Sequence, residues 1–202
     1  MNFRPLIWTL LAIAYLGIRF GFTRQLDEIG AYTAYIMEVA LVVIAIAIEG
    51  RTFFSRFAIR RSMALFFPLA ALGGFAAFKL AGFSGISIPF DLSGAETLIF
   101  LLVVAPILEE LVFRFFLWQP VESLTKKPVL ALVVCAALFS YSHFHPIWFL
   151  PPELASFLTY QTAYTFVLGL ACGYWVWRGR SLAGAILTHF FFNLGFYLAS
   201  LA

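Results

Sequence analysis

Charged residues are scarce in this sequence. They occupy 11% of its 202 positions, whereas about 25% is usual in a soluble domain. Hydrophobic residues account for 63%, and the mean hydropathy is +0.96. A soluble chain of this length would need a polar surface around its core. The shortage of charge therefore excludes a soluble domain and indicates a protein that is solvated by lipid.

Cysteine is also rare, and its two copies, Cys135 and Cys172, both lie inside apolar runs. Their spacing matches neither a metal site nor a secreted disulfide framework. The net charge of +3 could accompany nucleic-acid binding, but basic cytoplasmic loops explain it in a lipid-embedded chain. We therefore expect the lipid bilayer as the surroundings and no nucleic acid as a partner.

Long apolar runs define the predicted architecture, because a bilayer core of about 30 Å needs roughly 20 apolar residues per helix. Such runs cover residues 5–22, 30–48, 63–83, 97–120, 128–143, 154–177 and 182–201. The continuation at 146–152 is either a broken or re-entrant end or a short eighth helix. We predict an all-α fold, a polytopic membrane bundle of about seven transmembrane helices in one domain, 1–202. Its three N-terminal helices (1–95) carry no site motif, and the helices of 96–202 carry them all.

Lysine and arginine are distributed unevenly between alternate loops of this seven-helix arrangement. One side would carry nine of them: Arg4, Arg51, Arg56, Arg60, Arg61, Lys126, Lys127, Arg178 and Arg180. The other side would carry three, Arg19, Arg24 and Lys79, and Arg114 lies within a span. Because cytoplasmic loops are enriched in basic residues, we predict a multi-pass cell-membrane protein with a cytoplasmic N-terminus and an external C-terminus.

Charges inside a span cost about 2.5–3.5 kcal/mol at the helix centre on insertion scales, so each needs a partner or a purpose. Lys79 and Arg19 lie within about one turn of the outer interface and can extend their charges into it. For Glu38, which lies deeper, a pairing with Lys79 and a functional role are both open.

The fourth run contains Glu109, Glu110 and Arg114. Residues four apart share a helix face, so Glu110 can form a structural ion pair with Arg114. Glu109 is rotated by about 100° from Glu110 and has no cation at i+3 or i+4. One carboxylate in the middle of a span is thus left without a local partner, which makes Glu109 the first candidate for a functional residue.

Two later runs carry polar residues at a similar depth: His143 ends the fifth run, and His189 and Asn193 lie one turn apart in the seventh. Glu109 lies about 15 Å and His189 about 12 Å from the cytoplasmic end of its helix, at 1.5 Å per residue. Asn193 comes at about 18 Å and His143 at about 22 Å on the same scale. Bundling can therefore bring the four together near the midplane.

A carboxylate with histidines can activate a water molecule, although a single intramembrane histidine is more often a helix–helix contact. Glu109 could act as general base, with a histidine orienting the water or protonating the leaving amine. An asparagine N–H can stabilise a tetrahedral oxyanion. A zinc ion held by Glu109, His143 and His189 is the alternative, but the H-E-x-x-H helix is absent. The set favours amide hydrolysis without a serine or cysteine nucleophile and without a cofactor.

Three motifs occur in order on successive motif-bearing spans. They are Glu109-Glu110-x-x-x-Arg114, Phe139-x-x-x-His143 and His189-x-x-x-Asn193. Together they resemble the CPBP family, which comprises type II CAAX prenyl endopeptidases and bacteriocin-processing or Abi proteins. The resemblance covers about residues 100–200. It implies that Glu109 and His143 activate the water, that His189 and Asn193 complete the site and stabilise the oxyanion, and that Glu110 and Arg114 brace the helix.

The resemblance also implies a membrane-associated protein or peptide substrate, cut near a CAAX-type or sorting-signal-type C-terminus. Family members have been described both as metalloproteases and as glutamate-dependent proteases, and we favour the second mechanism, with zinc as the alternative cofactor. Two other functions are weighed against proteolysis. One is a non-catalytic relative that acts as an immunity or sensor-kinase scaffold protein, and the other is a small proton-coupled transporter. Intact motifs speak against the first, and the lack of paired broken helices or inverted repeats speaks against the second.

Overall fold

The computed structural model of the protein describes residues 3–59 and 61–202. Arg60, one of the basic residues in the topology prediction, lies outside this part. The described residues form helices with short connections and contain no strand, so the predicted all-α class is confirmed. We number the helices α1 (Arg4–Gly21), α2 (Thr23–Ile29), α3 (Thr33–Glu49), α4 (Phe66–Phe83), α5 (95–125), α6 (Pro128–Phe144), α7 (Ala155–Gly179) and α8 (Leu182–Ser200).

Short 3₁₀ turns extend the helices at the ends of the bundle. They are Gly50–Phe57, Arg61–Leu65, His145–Trp148 and Pro152–Leu154. The connection 145–154, which the sequence left as a broken end or a short extra helix, thus consists of two such turns. Its prolines explain this outcome, because a proline inside a helix removes a backbone hydrogen bond and clashes with the preceding turn.

Helix α5 is interrupted twice by π-helical segments. Its α-helical segments are Ala95–Ile99, Ala105–Glu110 and Trp118–Thr125, and its π-helical segments are Phe100–Val104 and Leu111–Phe116. Backbone hydrogen bonds in a π segment span five residues, and such segments are frequent at functional sites. The two interruptions flank the short segment that carries Glu109 and Glu110.

Small residues let α4 and α8 pack with their backbones in contact. A Cβ atom at Gly74 would overlap the carbonyl oxygen of Phe192, and one at Gly195 would overlap that of Ala71. Close approach through small residues is a common way for helices to associate in a membrane. Because α8 also packs against α5 and α7, this contact fixes the helix that carries the third motif.

Four helical stretches of the described chain are long and apolar enough to cross a membrane: Thr33–Phe57, Met63–Phe83, Pro128–Trp148 and Leu182–Ser200. A fifth is present if α1 and α2, which are bent by 75°, count as one span. Helices α5 and α7 would bring the count to seven, but neither is among these stretches. The chain is therefore a helical membrane protein, and the count of seven spans stays a prediction.

The connections that carry most basic residues gather at one end of the bundle. There Arg180 pairs with Glu122 at 3.2 Å, and the Ser181 hydroxyl donates a hydrogen bond of 2.6 Å to the Ala58 carbonyl. These contacts join the α3–α4 and α7–α8 connections to each other and to the last turn of α5. The α4–α5 and α6–α7 connections lie at the opposite end, so the two groups of loops correspond to two ends of the fold.

Candidate active site

Glu110 is fully buried between two partners. Its Oε2 atom lies 3.2 Å from Arg114 Nε, which is the ion pair that the i, i+4 spacing predicts. Its Oε1 atom accepts a hydrogen bond of 2.9 Å from His189 Nδ1. An ionised carboxylate only accepts, so Nδ1 carries a proton and Nε2 is the free edge of the imidazole. Glu110 therefore orients His189 in addition to pairing with Arg114, a contact that the sequence did not predict.

Arg114 ties α5 to its neighbours. Its Nη2 atom donates a hydrogen bond of 3.1 Å to the Gly169 carbonyl on α7, and its guanidinium carbon lies 4.4 Å from the centre of the Phe139 ring on α6. A Cβ atom at Gly169 would lie only 3.1 Å from Nη2, so glycine permits this approach. These contacts agree with the bracing role that the family resemblance implies.

Glu109 has different surroundings from its neighbour. Its side chain is 24% exposed, whereas that of Glu110 is 0% exposed. Its Oε2 atom is buried and has no hydrogen-bond partner among the described residues. His189 Nε2 lies 3.8 Å from this atom, which is too far for a direct hydrogen bond but close enough for both to contact one water molecule.

Two cavities meet at Glu109. The first, which we call the site cavity, has a volume of about 240 Å³ and is lined by Glu109, His143, His189 and Asn193. The second, which we call the adjoining cavity, has a volume of about 480 Å³ and is also lined by Glu109 and His143. The structure thus places all four residues that the sequence singled out on the wall of one cavity.

His143 is oriented by its own helix. Its Nδ1 atom lies 2.9 Å from the Phe139 carbonyl oxygen. Because a carbonyl only accepts, Nδ1 carries the proton and Nε2 is an acceptor. No hydrogen bond or ion pair joins His143 to Glu109 within the described chain, so the two are neighbours on a cavity wall rather than a bonded pair.

Asn193 donates a hydrogen bond of 2.7 Å from Nδ2 to the Leu101 carbonyl oxygen. This carbonyl lies in the first π segment, where the partner five residues on is Pro106, which has no N–H. The asparagine therefore supplies the donor that the proline lacks. This is the one side-chain hydrogen bond of Asn193 within the described chain, and the residue lines the site cavity.

Glu38 does not form the ion pair with Lys79 that was one of the two options left open for it. Glu38 accepts a hydrogen bond of 2.9 Å from the Tyr15 hydroxyl and lies 3.4 Å from Arg19 Nε. A pairing of Glu38 with Lys79 is therefore wrong, and Lys79 instead lies 5.6 Å from the centre of the Phe75 ring. Arg19 does not simply extend into the interface, since its side chain is 23% exposed and borders the adjoining cavity.

Comparison with known proteins agrees with this arrangement. The profile of the family described as type II CAAX prenyl endopeptidase Rce1-like matches residues 92–195, which contain all three motifs. The chain belongs to that family. It matches no curated protein and no solved structure. Membership in the Rce1-like family confirms the resemblance seen in the motifs and supports a protease.

A metal is one option for a member of the Rce1-like family, and the side chains can be compared with what a zinc ion requires. The ligand atoms of Glu109, His143 and His189 do not all lie within 4.8 Å of one another. Within the described chain, such a cluster is formed instead by Glu110, Cys172 and His189, whose ligand atoms lie within 4.8 Å of one another. There the Arg114 guanidinium already pairs with Glu110, so a second cation would face it. Neither set fits a zinc site as the side chains lie.

The contacts that sequence reasoning missed all join distant parts of the chain. They are the hydrogen bond between His189 and Glu110, that between Asn193 and Leu101, and the cluster of Tyr15, Arg19 and Glu38. A hint was present for the last one, because Arg19 and Glu38 are opposite charges at the same end of two neighbouring predicted helices. The sequence offers no such hint for the other two contacts.

Proposed function

We propose that the protein is an intramembrane endopeptidase that hydrolyses a peptide bond near the C-terminus of a membrane-associated protein. The single observation that supports this best is the division of the glutamate pair. Glu110 is fixed between Arg114 and His189, whereas Glu109 lies on a cavity wall with His143, His189 and Asn193. Such an arrangement provides a free carboxylate, two oriented imidazoles and an amide donor around one small space.

Water is activated by Glu109 and His143 in this mechanism. The Glu109 carboxylate takes a proton from water while His143 Nε2, the acceptor edge of its ring, accepts a hydrogen bond from the same molecule. The oxygen of the water then attacks the carbonyl carbon of the scissile bond, and the carbonyl oxygen becomes a tetrahedral oxyanion. His189 Nε2 lies 3.8 Å from Glu109 and lines the same site cavity.

Collapse of the intermediate completes the reaction. The second N–H of Asn193 donates to the oxyanion, where losing one such donor typically costs about 10²–10³ in rate, and His189 lines the same cavity. Glu109 returns the proton to the leaving nitrogen as the C–N bond breaks. The products are a carboxylic acid and a free amine, and the enzyme is restored.

Substrate entry is proposed from the end of the bundle opposite to the basic connections. The adjoining cavity is lined by Pro89 and Phe90 of the α4–α5 connection and by Pro146 and Leu150 of the α6–α7 connection. If basic loops face the cytoplasm, this end faces the exterior of a cell-membrane protein.

Reporter fusions after Arg61, Lys127 and Arg180 should then all be cytoplasmic, and a C-terminal fusion external. Fusions after Arg61 and Lys127 on opposite sides would overturn the seven-span arrangement.

The activity itself is tested with purified protein in liposomes and tagged, membrane-anchored candidate substrates that end in CAAX-type or sorting-signal-type sequences. Wild-type protein should release a C-terminal fragment, and the Glu109→Ala variant should not. Glu28→Ala serves as a matched control, because Glu28 lies on the surface and pairs only with Arg24 within the described chain. Absence of cleavage by wild-type protein for every substrate class would favour a non-catalytic family relative.

A further inference from the structure

We propose that Arg19 binds a carboxylate of the substrate in the adjoining cavity and thereby selects where the chain is cut. The proposal rests on the proteolytic function above and adds a binding site to it. Arg19 belongs to α1, outside the region that the family profile matches. Its site would therefore be specific to the architecture of this chain's first helices.

The guanidinium of Arg19 is held by Glu38, but not all of its hydrogen-bond donors are used within the described chain. Its Nε atom lies 3.4 Å from Glu38 Oε1, and the same oxygen accepts the hydrogen bond from Tyr15. Neither terminal amino group of Arg19 makes a hydrogen bond to another part of the described chain. Because these two groups form the fork that matches a carboxylate in bidentate geometry, the end of the side chain is suited to an anionic oxygen pair.

Burial makes this free fork significant. The Arg19 side chain is 23% exposed and that of Glu38 is 10% exposed, so the pair lies largely inside the protein. The terminal nitrogens of Arg19 are not among the buried atoms that lack a hydrogen-bond partner in the described chain, so they are accessible from the adjoining cavity. Glu38, which Tyr15 holds in place, anchors one edge of the guanidinium and leaves the other edge for a ligand.

The adjoining cavity connects this fork to the proposed catalytic residues. Arg19, Tyr15 and Glu38 line it together with Glu109 and His143. Its volume of about 480 Å³ lies within the range of ligand pockets, about 300–1,000 Å³. If the scissile peptide bond lies at Glu109, the substrate residues on one side of it would extend through the adjoining cavity toward Arg19.

The chemistry of a C-terminal substrate fits this arrangement. A CAAX-type chain has three residues after its cysteine, which extend about 10 Å and end in a free α-carboxylate. Recognition of that carboxylate would let the enzyme measure the distance from the chain end to the scissile bond. An acidic side chain carries the same group, so the experiment must separate the two sources.

The test uses wild-type protein in liposomes and three versions of one anchored peptide. The first has a free C-terminal acid, the second has an amide, and the third has an amide with an acidic residue as the last side chain. For wild-type protein we expect amidation to lower kcat/KM by about 10- to 100-fold, the usual effect of losing a charged hydrogen-bond partner. Recovery with the third peptide would identify any carboxylate as sufficient, and no recovery would identify the chain end itself.

Variants show whether Arg19 is responsible. In Arg19→Gln the ratio between acid and amide should fall to near one, because the acid alone loses its partner. If that variant folds poorly with Glu38 left unpaired, the double variant Arg19→Gln/Glu38→Gln keeps a neutral pair of similar shape and should give the same ratio. Arg24→Gln is the matched control, since Arg24 is 75% exposed and should leave the ratio unchanged.

The outcomes separate this proposal from the proteolytic function. Equal cleavage of acid and amide by wild-type protein, or an unchanged ratio in Arg19→Gln, would overturn the carboxylate site while leaving the protease intact. Failure of wild-type protein to cleave any of the peptides would count against both.

Discussion

Glu109 and Glu110 are adjacent in α5, but their identical side chains have very different surroundings. Glu110 points into a closed contact with Arg114 and His189 and is inaccessible. Glu109 borders two cavities and keeps one oxygen atom without a hydrogen-bond partner in the described chain. The difference shows that adjacent glutamates in a membrane helix need not share a function, because a rotation of about 100° assigns them to different neighbours.

Among the variants that test this difference between the two glutamates, Glu109→Gln is expected to have the largest effect. The substitution keeps the size of the side chain but removes the base, so cleavage should fall by about 10²–10⁴, the usual contribution of a general base. Folded protein in the membrane should be obtained at wild-type yield, since Glu109 makes no ion pair other than the 3.8 Å contact with His189 in the described chain. Initial rates of fragment release and thermal unfolding in the same detergent would measure both properties. Retained cleavage would remove Glu109 from the mechanism.

Asn193→Ala should have the next largest effect on turnover. If its second N–H donates to the oxyanion, kcat should fall by about 10²–10³ with little change in substrate affinity, because the charge develops only in the transition state. Asn193 also bonds to Leu101, and such contacts in membrane proteins average about 0.6 kcal/mol, so a small loss of stability is expected as well.

A matched variant separates these two roles of Asn193. Asn193→Asp should be at least as damaging to kcat, since it places an acceptor or a negative charge where the oxyanion forms. Measuring kcat and substrate affinity for both variants in identical liposomes decides the assignment. A loss of affinity with kcat preserved would make Asn193 a substrate-contacting or packing residue.

A contact in this site could be predicted from the sequence when both residues lie on one helix, and it was much harder to predict when it joins distant parts of the chain. The pairing of Glu110 with Arg114 could be predicted because i, i+4 geometry is fixed within one helix. The hydrogen bond from Asn193 to Leu101 could not, because it depends on a π segment that has no clear sequence signature. The charges of Arg19 and Glu38 gave a hint of their pairing, but the choice between Arg19 and Lys79 depends on which helices become neighbours, and the partner is Arg19.

Glu110→Gln is expected to affect stability more than catalysis. Arg114 would be left buried without its carboxylate, a loss of roughly 3–5 kcal/mol when one partner of a buried pair is removed. The single acceptor oxygen of glutamine cannot serve both His189 and Arg114 as the two carboxylate oxygens do, so the contact that orients His189 is weakened, and loss of such an orienting partner typically lowers activity by about 10- to 100-fold. Thermal unfolding and kcat of the folded fraction measure the two effects separately.

Arg114→Gln is the control for the positioning role of Glu110. This substitution breaks the same ion pair but keeps the hydrogen bond between Glu110 and His189. We expect a similar loss of stability with a smaller loss of kcat than in Glu110→Gln. Equal losses of kcat in the two variants would mean that Glu110 acts only as a brace and that its contact with His189 has no catalytic consequence.

The smallest effect is expected from removal of divalent metals. Glu110, Cys172 and His189 come closest to a metal cluster in the described chain, but the Glu110 carboxylate already pairs with the Arg114 guanidinium and accepts a hydrogen bond from His189 Nδ1. A zinc ion there would have to displace that proton and lie beside a buried positive charge, and both requirements disfavour it. Strong chelators should therefore leave the rate unchanged, and Cys172→Ala should retain cleavage. Elemental analysis of dialysed protein is the independent measurement. Zinc near one equivalent, with activity lost on chelation and restored by zinc, would replace the glutamate mechanism by a metal-dependent one and would give His189 a role as ligand.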